Sequence, residues 1–384
     1  MIVLGSTGSV GEQAIDVAQK LGVSVNAISA HKNTKRVEEQ ARAFGVCACA
    51  MSDETAAADL KVRLADTSIK VYAGTQGICE MITDIDTDNE AGQIVENSIV
   101  GEAGLLPTIA TLKAGKKLAL ANKESLVAGG EVVMPLAKAS GQDILPVDSE
   151  HCAIFQCLRS GKPQEIKKII LTASGGPFFG YTKEQLAQIT VERALAHPTW
   201  KMGAKITIDS STLMNKGFEV IEAVHLFGVS PEQIQVTVHR ESIIHSAVEY
   251  IDNSVIAQLS LPDMRHCVQY ALTHPNRLDG PTDELDLFRV GKLSFDNPDM
   301  ETFPLLRIAF DAIRLGGGVP AALNAANEEA VAAFLEKKIS YLQISEVVEH
   351  TVDSMSYAKD IHDLEGIMSA SAEARRIANS KIYN

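Results

Sequence analysis

Three glycines near the start of the chain constrain its fold more than any other feature. Gly5, Gly8 and Gly11 follow a short apolar segment, and apolar residues then recur at helical spacing up to Leu21. Glycines between a strand and a helix let the backbone turn tightly and approach a pyrophosphate, which the helix N-terminus attracts. The spacing predicts a dinucleotide-binding unit, and a plain glycine-rich turn is the alternative. Its candidate cofactor contacts are Ser6, Thr7, Gly8, Ser9 and Val10.

The end of the second predicted strand, at residues 25–29, indicates which dinucleotide binds. NAD-binding proteins place an Asp or Glu there to bind the ribose 2′-hydroxyl. This chain instead has His31, Lys32 and Asn33. Because polar and basic groups suit a 2′-phosphate, the sequence favours NADP over NAD, with these three residues as contacts. The alternative is that they form an ordinary solvated loop.

Bulk composition indicates an enzyme rather than a nucleic-acid-binding or membrane protein. The chain has 384 residues, of which 46% are hydrophobic, enough for two or three domains with large cores. Its net charge of −14 disfavours a nucleic-acid partner. No run reaches the about 18 apolar residues that span a bilayer, and the cysteines lack paired C-x-x-C spacing. We expect a cytoplasmic protein, with an upstream targeting segment as the alternative because the chain begins within a predicted strand.

Secondary-structure patterns change along the chain. Strands and helices alternate up to about residue 150, which predicts a doubly wound parallel sheet. Residues 166–260 are rich in strands, with a turn at Asp252 and Asn253, and predict a second, open sheet. Residues 275–304 have little periodicity and suggest a linker, and helical patterns follow to the end. The expected fold class is α/β, with a Rossmann-like domain, a second α/β domain and a C-terminal helical bundle.

Acidic and polar residues follow two strands of the predicted parallel sheet. Asp148 and Glu150 come after the strand at residues 144–147 and lie two apart, so on extended backbone they share one face. Two such carboxylates repel each other unless a cation joins them, and hard oxygen ligands suit Mg²⁺ or Mn²⁺. Acids decorating a helix N-terminus are an equally good interpretation of the spacing alone.

Two further segments offer groups for an anion. If a helix begins near Ser211, then Asn215, Lys216 and Glu219 project to one side, where the lysine and asparagine could hold a phosphate. Glu219 could then complete the metal site. Ser174, next to Gly175 and Gly176, offers a hydroxyl beside exposed backbone N–H groups. A turn with a helix cap is the alternative in each case.

Residues 197–203 contain the single tryptophan, Trp200, in a segment without periodicity. A lone tryptophan usually belongs to the core, and a lone histidine such as His197 is usually satisfied by local bonds. Because Pro198 and Gly203 bracket the segment, we expect instead a loop with an apolar tip that closes over a ligand.

Taken together, these motifs closely resemble the 1-deoxy-D-xylulose 5-phosphate reductoisomerase family over essentially the whole chain. The resemblance rests on residues 5–11, 121–126, 146–151, 171–178, 197–203, 209–219, 262–265 and 323–328. One departure is Cys152, where the family more often carries Asn or Ser; it leaves the acidic motif unchanged. The resemblance implies NADPH-dependent rearrangement and reduction of 1-deoxy-D-xylulose 5-phosphate to 2-C-methyl-D-erythritol 4-phosphate in the non-mevalonate isoprenoid pathway.

The resemblance also implies domains and residue roles. The implied domains are an NADPH-binding domain at 1–147, a catalytic and dimerisation domain at 148–274, a linker at 275–304 and a helical domain at 305–384. Asp148, Glu150 and Glu219 would bind Mg²⁺ or Mn²⁺, with Co²⁺ as a further candidate. Lys123, Glu150 and His197 would be catalytic, and Trp200 and Met202 would belong to the closing loop. The implied substrate contacts are Lys123, Ser149, Glu150, Ser174, His197, Ser210, Asn215, Lys216 and Glu219. Asn122, Glu124 and Gly203 would join the NADPH contacts.

Two other functions fit parts of the sequence. An NADP-dependent semialdehyde dehydrogenase shares the opening glycine motif but needs a nucleophilic cysteine beside a base. Cys152 next to His151 is the nearest candidate, and the surrounding acids disfavour a thiolate there. A non-catalytic NADP-sensing protein would not need metal ligands, phosphate groups and a closing loop together. We therefore expect the enzyme that the resemblance implies, which acts on a small sugar phosphate as a homodimer.

Overall fold

The computed structural model describes residues 1–85, 94–196 and 202–383. Contacts between residues divide the chain into two compact units. The first comprises Met1–Ser125, Val133–Cys152 and Asp263–Asp283, and the second comprises Leu126–Val132, Ala153–Pro262 and Glu284–Asn384.

Strands and helices alternate through the first 157 residues. The elements are β1 (Ile2–Leu4), α1 (Ser9–Lys20), β2 (Ala27–Ala30), α2 (Thr34–Phe44), β3 (Ala48–Met51), α3 (Glu54–Arg63), β4 (Lys70–Ala73), α4 (Gly74–Asp84), β5 (Ile94–Asn97), α5 (Leu105–Lys113), β6 (Lys117–Leu120), α6 (Glu124–Ser140), β7 (Ile144–Pro146) and α7 (Ser149–Cys157).

The seven strands of the first unit form one parallel sheet in the order β4-β3-β2-β1-β5-β6-β7. The chain runs outward from β1 in one direction through β4 and then crosses back to β5 on the other side. Ligands of doubly wound sheets bind at this switch point, outside the carboxyl ends of the strands. The sheet confirms the predicted α/β class and places the glycine turn after β1 at the switch point.

One strand lies earlier than the sequence predicts. The apolar pair at residues 99–100 suggests a strand, but β5 spans Ile94–Asn97 and Val100 is exposed. All four residues of β5 are buried, including the polar residues Glu96 and Asn97. These two side chains interrupt the apolar pattern that marks a buried parallel strand, which explains the error.

The two faces of this sheet are covered by different helices. Leu4 and Val95 pack in an apolar cluster with side chains of α4, and α5 joins the same face. Because successive residues of a strand alternate between faces, Val3 and its register partner Glu96 point to the opposite face. There α1 contacts β1 and β5, and the later helix Arg265–Thr273 contacts α1 and β6.

The remaining elements follow in chain order. They are β8 (Ile166–Ala173), α8 (Lys183–Leu186), α9 (Val191–Ala194), α10 (Ala204–Ser211), α11 (Met214–Phe227), β9 (Ile234–Val238), β10 (Ile244–Tyr250), β11 (Val255–Leu259), α12 (Arg265–Thr273), α13 (Leu287–Val290), α14 (Leu305–Leu315), α15 (Val319–Leu335), α16 (Tyr341–Ser354) and α17 (Leu364–Tyr383). All except α12 belong to the second unit.

The second unit contains the predicted open sheet and the helical bundle. Its strand order is β11-β10-β8-β9, with β8 and β9 parallel and the other pairs antiparallel. The predicted hairpin turn is confirmed, because Asn253 has a positive φ of 67° and Tyr250 N–H donates to the Ser254 carbonyl at 2.9 Å. Helices α14 to α17 pack around α15, whose buried alanines allow close approach. Among the helices described, none is long and apolar enough to cross a membrane.

Candidate active site

The glycine turn after β1 has a conformation that needs glycine. Gly5 has φ of +80°, and a Cβ on it would lie 2.7 Å from the Ser98 carbonyl oxygen. A Cβ on Gly11 would collide with the Gly5 carbonyl oxygen. The Ser6 amide donates to the Ser29 carbonyl at 2.8 Å, and its hydroxyl donates to Gln40 at 2.8 Å. Hydrogen bonds to Ser29 and Gln40 therefore fix the turn, while residues 7–10 lie partly or fully exposed at the start of α1.

The predicted 2′-phosphate residues lie in the loop after β2. His31 Nδ1 lies 2.8 Å from the Ser52 hydroxyl, and Lys32 Nζ lies 3.6 Å from Asp53. Asn33 caps α2 by accepting a hydrogen bond from the amide of Arg36. The loop thus places an exposed lysine, Lys32, at the carboxyl end of β2. Sequence reasoning missed Ser52 and Asp53 because they follow β3. They lie near the loop after β2 only because β3 pairs with β2 in the sheet.

Asp148 is both a helix cap and the partner of a lysine. One carboxylate oxygen accepts the backbone N–H groups of Glu150 and His151 at 3.0 and 3.1 Å. The other oxygen accepts a hydrogen bond from Lys123 Nζ at 3.0 Å, and both side chains are largely buried. His151 Nδ1 also lies 3.1 Å from Asp148. The capping interpretation is therefore confirmed for Asp148, and its role as a metal ligand stays a prediction.

The neighbours of Asp148 complete this half of the site. The Ser149 hydroxyl donates to Glu150 at 2.7 Å. Cys152 is buried and its thiol contacts Cys267, whose pKa that contact and burial raise well above its usual value. With His151 engaged by Asp148 and Cys152 inside the protein, no exposed cysteine–histidine pair exists here. This arrangement disfavours the semialdehyde dehydrogenase alternative.

Asn122 and Glu124, predicted as cofactor contacts, lie in a hydrogen-bonded turn after β6. The Asn122 amide nitrogen donates to the carbonyls of Ile99 and Gly101 at 2.6 and 2.8 Å and to Glu124 at 3.0 Å. Its amide oxygen accepts the backbone N–H of Ser125 at 2.9 Å. Asn122 therefore holds the loops after β5 and β6 together, and its role toward NADPH stays a prediction.

The second unit holds the groups predicted to bind phosphate, on a chain path that differs from the prediction. Ser211 ends α10 rather than beginning a helix, and Leu213 turns the chain with φ of +62° before α11 starts at Met214. On α11, Asn215 donates to Glu219 at 2.6 Å and Lys216 forms a short, buried ion pair with Glu219. The predicted grouping on one side of a helix is correct, although the helix start was wrong.

The glycine turn after Ser174 packs against the backbone of Ser210. Gly175 and Gly176 have positive φ, and a Cβ on Gly176 would lie 2.7 Å from the Ser210 carbonyl oxygen. Arg240 donates to the carbonyls of Ser174 and Gly176 at 2.8 and 2.6 Å. The arginine thus holds the turn against the end of α10. Sequence reasoning missed Arg240 because it lies after β9, far along the chain from the turn it supports.

A buried polar chain supports α10 from the C-terminal helices. Asn327 donates to Asp209 at 2.7 Å, and Lys205 donates to the other oxygen of Asp209 at 3.0 Å. These contacts explain part of the motif at residues 323–328, to which the sequence assigns no role. Of the predicted closing loop, His197 and Trp200 lie outside the described residues. Met202 is half-buried and Gly203 is exposed at the start of α10.

Comparisons with known proteins agree along the whole chain. A family model described as 1-deoxy-D-xylulose 5-phosphate reductoisomerase matches residues 1–130, and models of C-terminal domains of the same enzyme match residues 144–227 and 259–377. A reductoisomerase from Agathobacter rectalis is 52% identical over 359 residues, covering 93% of each chain. One from Desulfitobacterium hafniense is 50% identical, covering 98% of this chain and 97% of its own.

Solved structures show the same similarity. A 1-deoxy-D-xylulose 5-phosphate reductoisomerase from Zymomonas mobilis in complex with NADPH is 40% identical, with a TM-score of 0.91 and coverage of 100% of this chain and 98% of its own. A DOX-P reductoisomerase in complex with NADPH, fosmidomycin and magnesium is 38% identical, with a TM-score of 0.93 and coverage of 99% and 97%.

Proposed function

This chain belongs to the 1-deoxy-D-xylulose 5-phosphate reductoisomerase family, and from that premise we propose how its residues divide the reaction. The chain is an NADPH- and divalent-metal-dependent oxidoreductase. It rearranges 1-deoxy-D-xylulose 5-phosphate and reduces the product to 2-C-methyl-D-erythritol 4-phosphate, in isoprenoid synthesis. The residue roles below are our assignment.

We assign the divalent metal to Asp148, Glu150 and Glu219. The observation that carries this assignment is the magnesium in a solved DOX-P reductoisomerase that is 37% identical to this chain, with a TM-score of 0.91. Three hard oxygen donors fit Mg²⁺ or Mn²⁺, with Co²⁺ as a further candidate, and leave positions for substrate oxygens. When bound, the metal acts as a Lewis acid on the carbonyl of the hydroxyketone. Lys123 and Lys216 meanwhile offset the charge of Asp148 and Glu219.

The substrate phosphate is assigned to Ser174, Ser210, Asn215 and Lys216. Support comes from the Gly175–Gly176 turn, which packs against Ser210, and from Lys216, a buried lysine on α11 of the same unit. Binding a remote phosphate positions the reacting end of the substrate, so part of its binding energy lowers the barrier. Asn215 and Lys216 both contact Glu219, which links phosphate binding to the metal ligand.

Lys123, Ser149, Glu150 and His197 are assigned to the reacting oxygens. Lys123 carries a fixed cation in a largely buried position, where it stabilises negative charge that develops on an oxygen as the carbon–carbon bond breaks and re-forms. Ser149 donates to Glu150 and so orients that carboxylate. NADPH then supplies the hydride that reduces the aldehyde. His197, Trp200 and Met202 are assigned to the loop that excludes water during the reaction.

The NADPH contacts are assigned to the glycine turn and to the loop after β2. Asn122, Glu124 and Gly203, from later in the chain, complete them. The basic and polar character of the second loop, and the lack of an acid directly after β2, support a 2′-phosphate at His31, Lys32 and Asn33. The full assignment is Ser6, Thr7, Gly8, Ser9, Val10, His31, Lys32, Asn33, Asn122, Glu124 and Gly203.

We further propose that the enzyme acts in the cytoplasm as a homodimer. Among the strands that the structure describes, the edge strand β11 pairs only with β10. It exposes Val255 and Ile256, and Ile251 of the adjoining hairpin is also exposed. An apolar sheet edge of this kind is stable when a second copy covers it. The four-part domain division at residues 147, 274 and 304 remains part of the proposal.

One experiment tests whether rearrangement and reduction share one site. With 1-deoxy-D-xylulose 5-phosphate, the protein should consume NADPH and form the branched polyol phosphate. Lys123→Ala should suppress both this reaction and reduction of the added branched aldehyde phosphate, because the same oxygens are held in both steps. Wild-type reduction of the aldehyde by the variant would limit Lys123 to rearrangement. Lys167→Ala, which alters an exposed lysine paired with Glu249, is the control and should retain both activities.

A further inference from the structure

Glu96 is a fully buried acid in the middle of the parallel sheet, and the reaction described above makes no use of it. It lies on β5 between Val3 of β1 and Ala119 of β6. Its side chain is inaccessible to solvent. A buried carboxylate is costly unless it is paired or hydrogen-bonded, so the surroundings of Glu96 show in which protonation state the fold accepts it.

The hydrogen bonds around Ser98 leave room for a proton on Glu96. The Ser98 hydroxyl lies 2.8 Å from the Leu4 carbonyl oxygen and 3.2 Å from Glu96 Oε2. A serine hydroxyl has one proton to donate, and a carbonyl oxygen only accepts. If Ser98 donates to Leu4, the second hydrogen bond needs a proton from Glu96. Oε1 of Glu96 finds no partner in the described part of the chain, which costs an ionised carboxylate more than a neutral carboxyl group.

The charges around Glu96 do not favour its ionised form. Burial raises the pKa of Glu96 to about 8, and the contact with Ser98 opposes this only in part. Glu96 faces α1 and α12, and the buried residues of α1 are apolar or glycine. The charged or titratable groups on these helices are Glu12, Asp16 and Lys20 of α1, and Arg265, His266, Cys267 and Tyr270 of α12. The flanking strands β1 and β6 add the Met1 amino group and Lys117 at their starts, and none of these groups is a cause of the shift.

Ser98 connects Glu96 to the nucleotide-binding turn. Its amide also donates to the Leu4 carbonyl, at 3.0 Å, and its own carbonyl packs against Gly5. The two bonds from Ser98 therefore anchor the last residue of β1 directly before the turn. We propose that Glu96 is a positioning residue for NADPH, which in its neutral form donates to Ser98 and so holds the Leu4–Gly5 turn. This inference adds to the roles proposed above and needs only that the glycine turn binds NADPH.

The test is direct binding of NADPH as a function of pH, measured as the Kd by nucleotide fluorescence from pH 6 to 10. Above about pH 8, the wild-type Kd should rise by up to about tenfold per pH unit as Glu96 loses its proton. Glu96→Gln keeps a neutral donor toward Ser98, so its Kd should lack this rise. Glu80→Gln removes an exposed acid of α4 and should follow the wild-type profile.

Two further measurements keep the test decisive. Ser98→Ala breaks the connection, so it should bind NADPH more weakly at neutral pH and also lose the alkaline rise, even if Glu96→Gln folds poorly. An infrared difference spectrum of wild type minus Glu96→Gln at pH 7 should show the carbonyl band of a protonated carboxyl group. Parallel pH profiles of wild type and Glu96→Gln, or absence of that band, would overturn the inference. Failure of every variant to bind NADPH would instead contradict the assignment of the glycine turn.

Discussion

Replacing Tyr341 by Phe isolates one hydrogen bond that supports the proposed phosphate site. The tyrosine begins α16, is buried, and its hydroxyl donates to the Ser211 carbonyl oxygen at 2.6 Å. Burial raises the pKa of Tyr341, so the hydroxyl remains a donor at all physiological pH values. Its ring packs edge-on against Phe178 and Phe334, with centroids 5.4 and 5.9 Å away. Phenylalanine keeps these ring contacts and removes only the hydroxyl.

The cost of Tyr341→Phe follows from what the hydroxyl satisfies. Ser211 is the last residue of α10, and its carbonyl is among the acceptors that a helix end leaves without an internal partner. Leaving this buried acceptor unpaired should lower the free energy of unfolding by about 1–3 kcal/mol. Since the turn at Ser174 packs against the same end of α10, the KM for the sugar phosphate should rise while the KM for NADPH stays unchanged.

Urea denaturation followed by circular dichroism measures the stability change, and steady-state kinetics measure both KM values. Tyr357→Phe is the matched control, because that tyrosine is exposed and, within residues 1–85, 94–196 and 202–383, its hydroxyl contacts only the Met355 sulfur, at 3.3 Å. Its effect should stay within about 0.5 kcal/mol. If Tyr341→Phe were as stable as this control, the hydroxyl would not support α10 and the reasoning would fail.

Three other outcomes are expected. Chelation should abolish activity, Mg²⁺ or Mn²⁺ should restore it, and Glu219→Gln should need more metal; full activity after complete metal removal would contradict the metal assignment. Lys216→Ala should mainly raise the KM for the phosphorylated substrate, and an unchanged KM would place the phosphate elsewhere. Folding raises the pKa of Glu96 from 4.5 to about 8. As the pH rises through this range, the free energy of unfolding of the wild type should therefore fall relative to that of Glu96→Gln, by about 1.4 kcal/mol per pH unit in unfolding titrations. A stability difference that does not change with pH would refute a raised pKa of Glu96.

Local patterns predicted much of the first unit. The parallel sheet, the glycine turn and the polar residues after β6 and β7 all follow from short-range spacing, and the structure has each of them. The misplaced β5 has a local cause, because Glu96 and Asn97 make a buried strand resemble a loop. No local pattern indicates that an acid can be buried there, since the free-energy cost of burying Glu96 depends on the contacts of Ser98 with Glu96 and Leu4 in the folded protein.

The supports of the second unit were beyond sequence reasoning for a different reason. Asp209 and Asn327 lie 118 residues apart and meet only through packing. Arg240 holds the Ser174 turn from 66 residues away. Spacing indicates which side chains share one helix or one turn, as with Lys216 and Glu219, but it carries no information on which distant segment supports them.

Leu213 has a consequence for any attempt to improve this enzyme. Its left-handed conformation costs a leucine about 1 kcal/mol relative to glycine, yet its side chain is buried in the core. Redesign aimed only at relieving the backbone would select glycine or asparagine there, because both adopt this conformation more readily. Either choice would open a void beneath the junction of two helices that carry Ser210 and Lys216. Because truncating a buried leucine costs about 2–5 kcal/mol, more than the backbone relief returns, a library selected for thermal tolerance should retain leucine at this position.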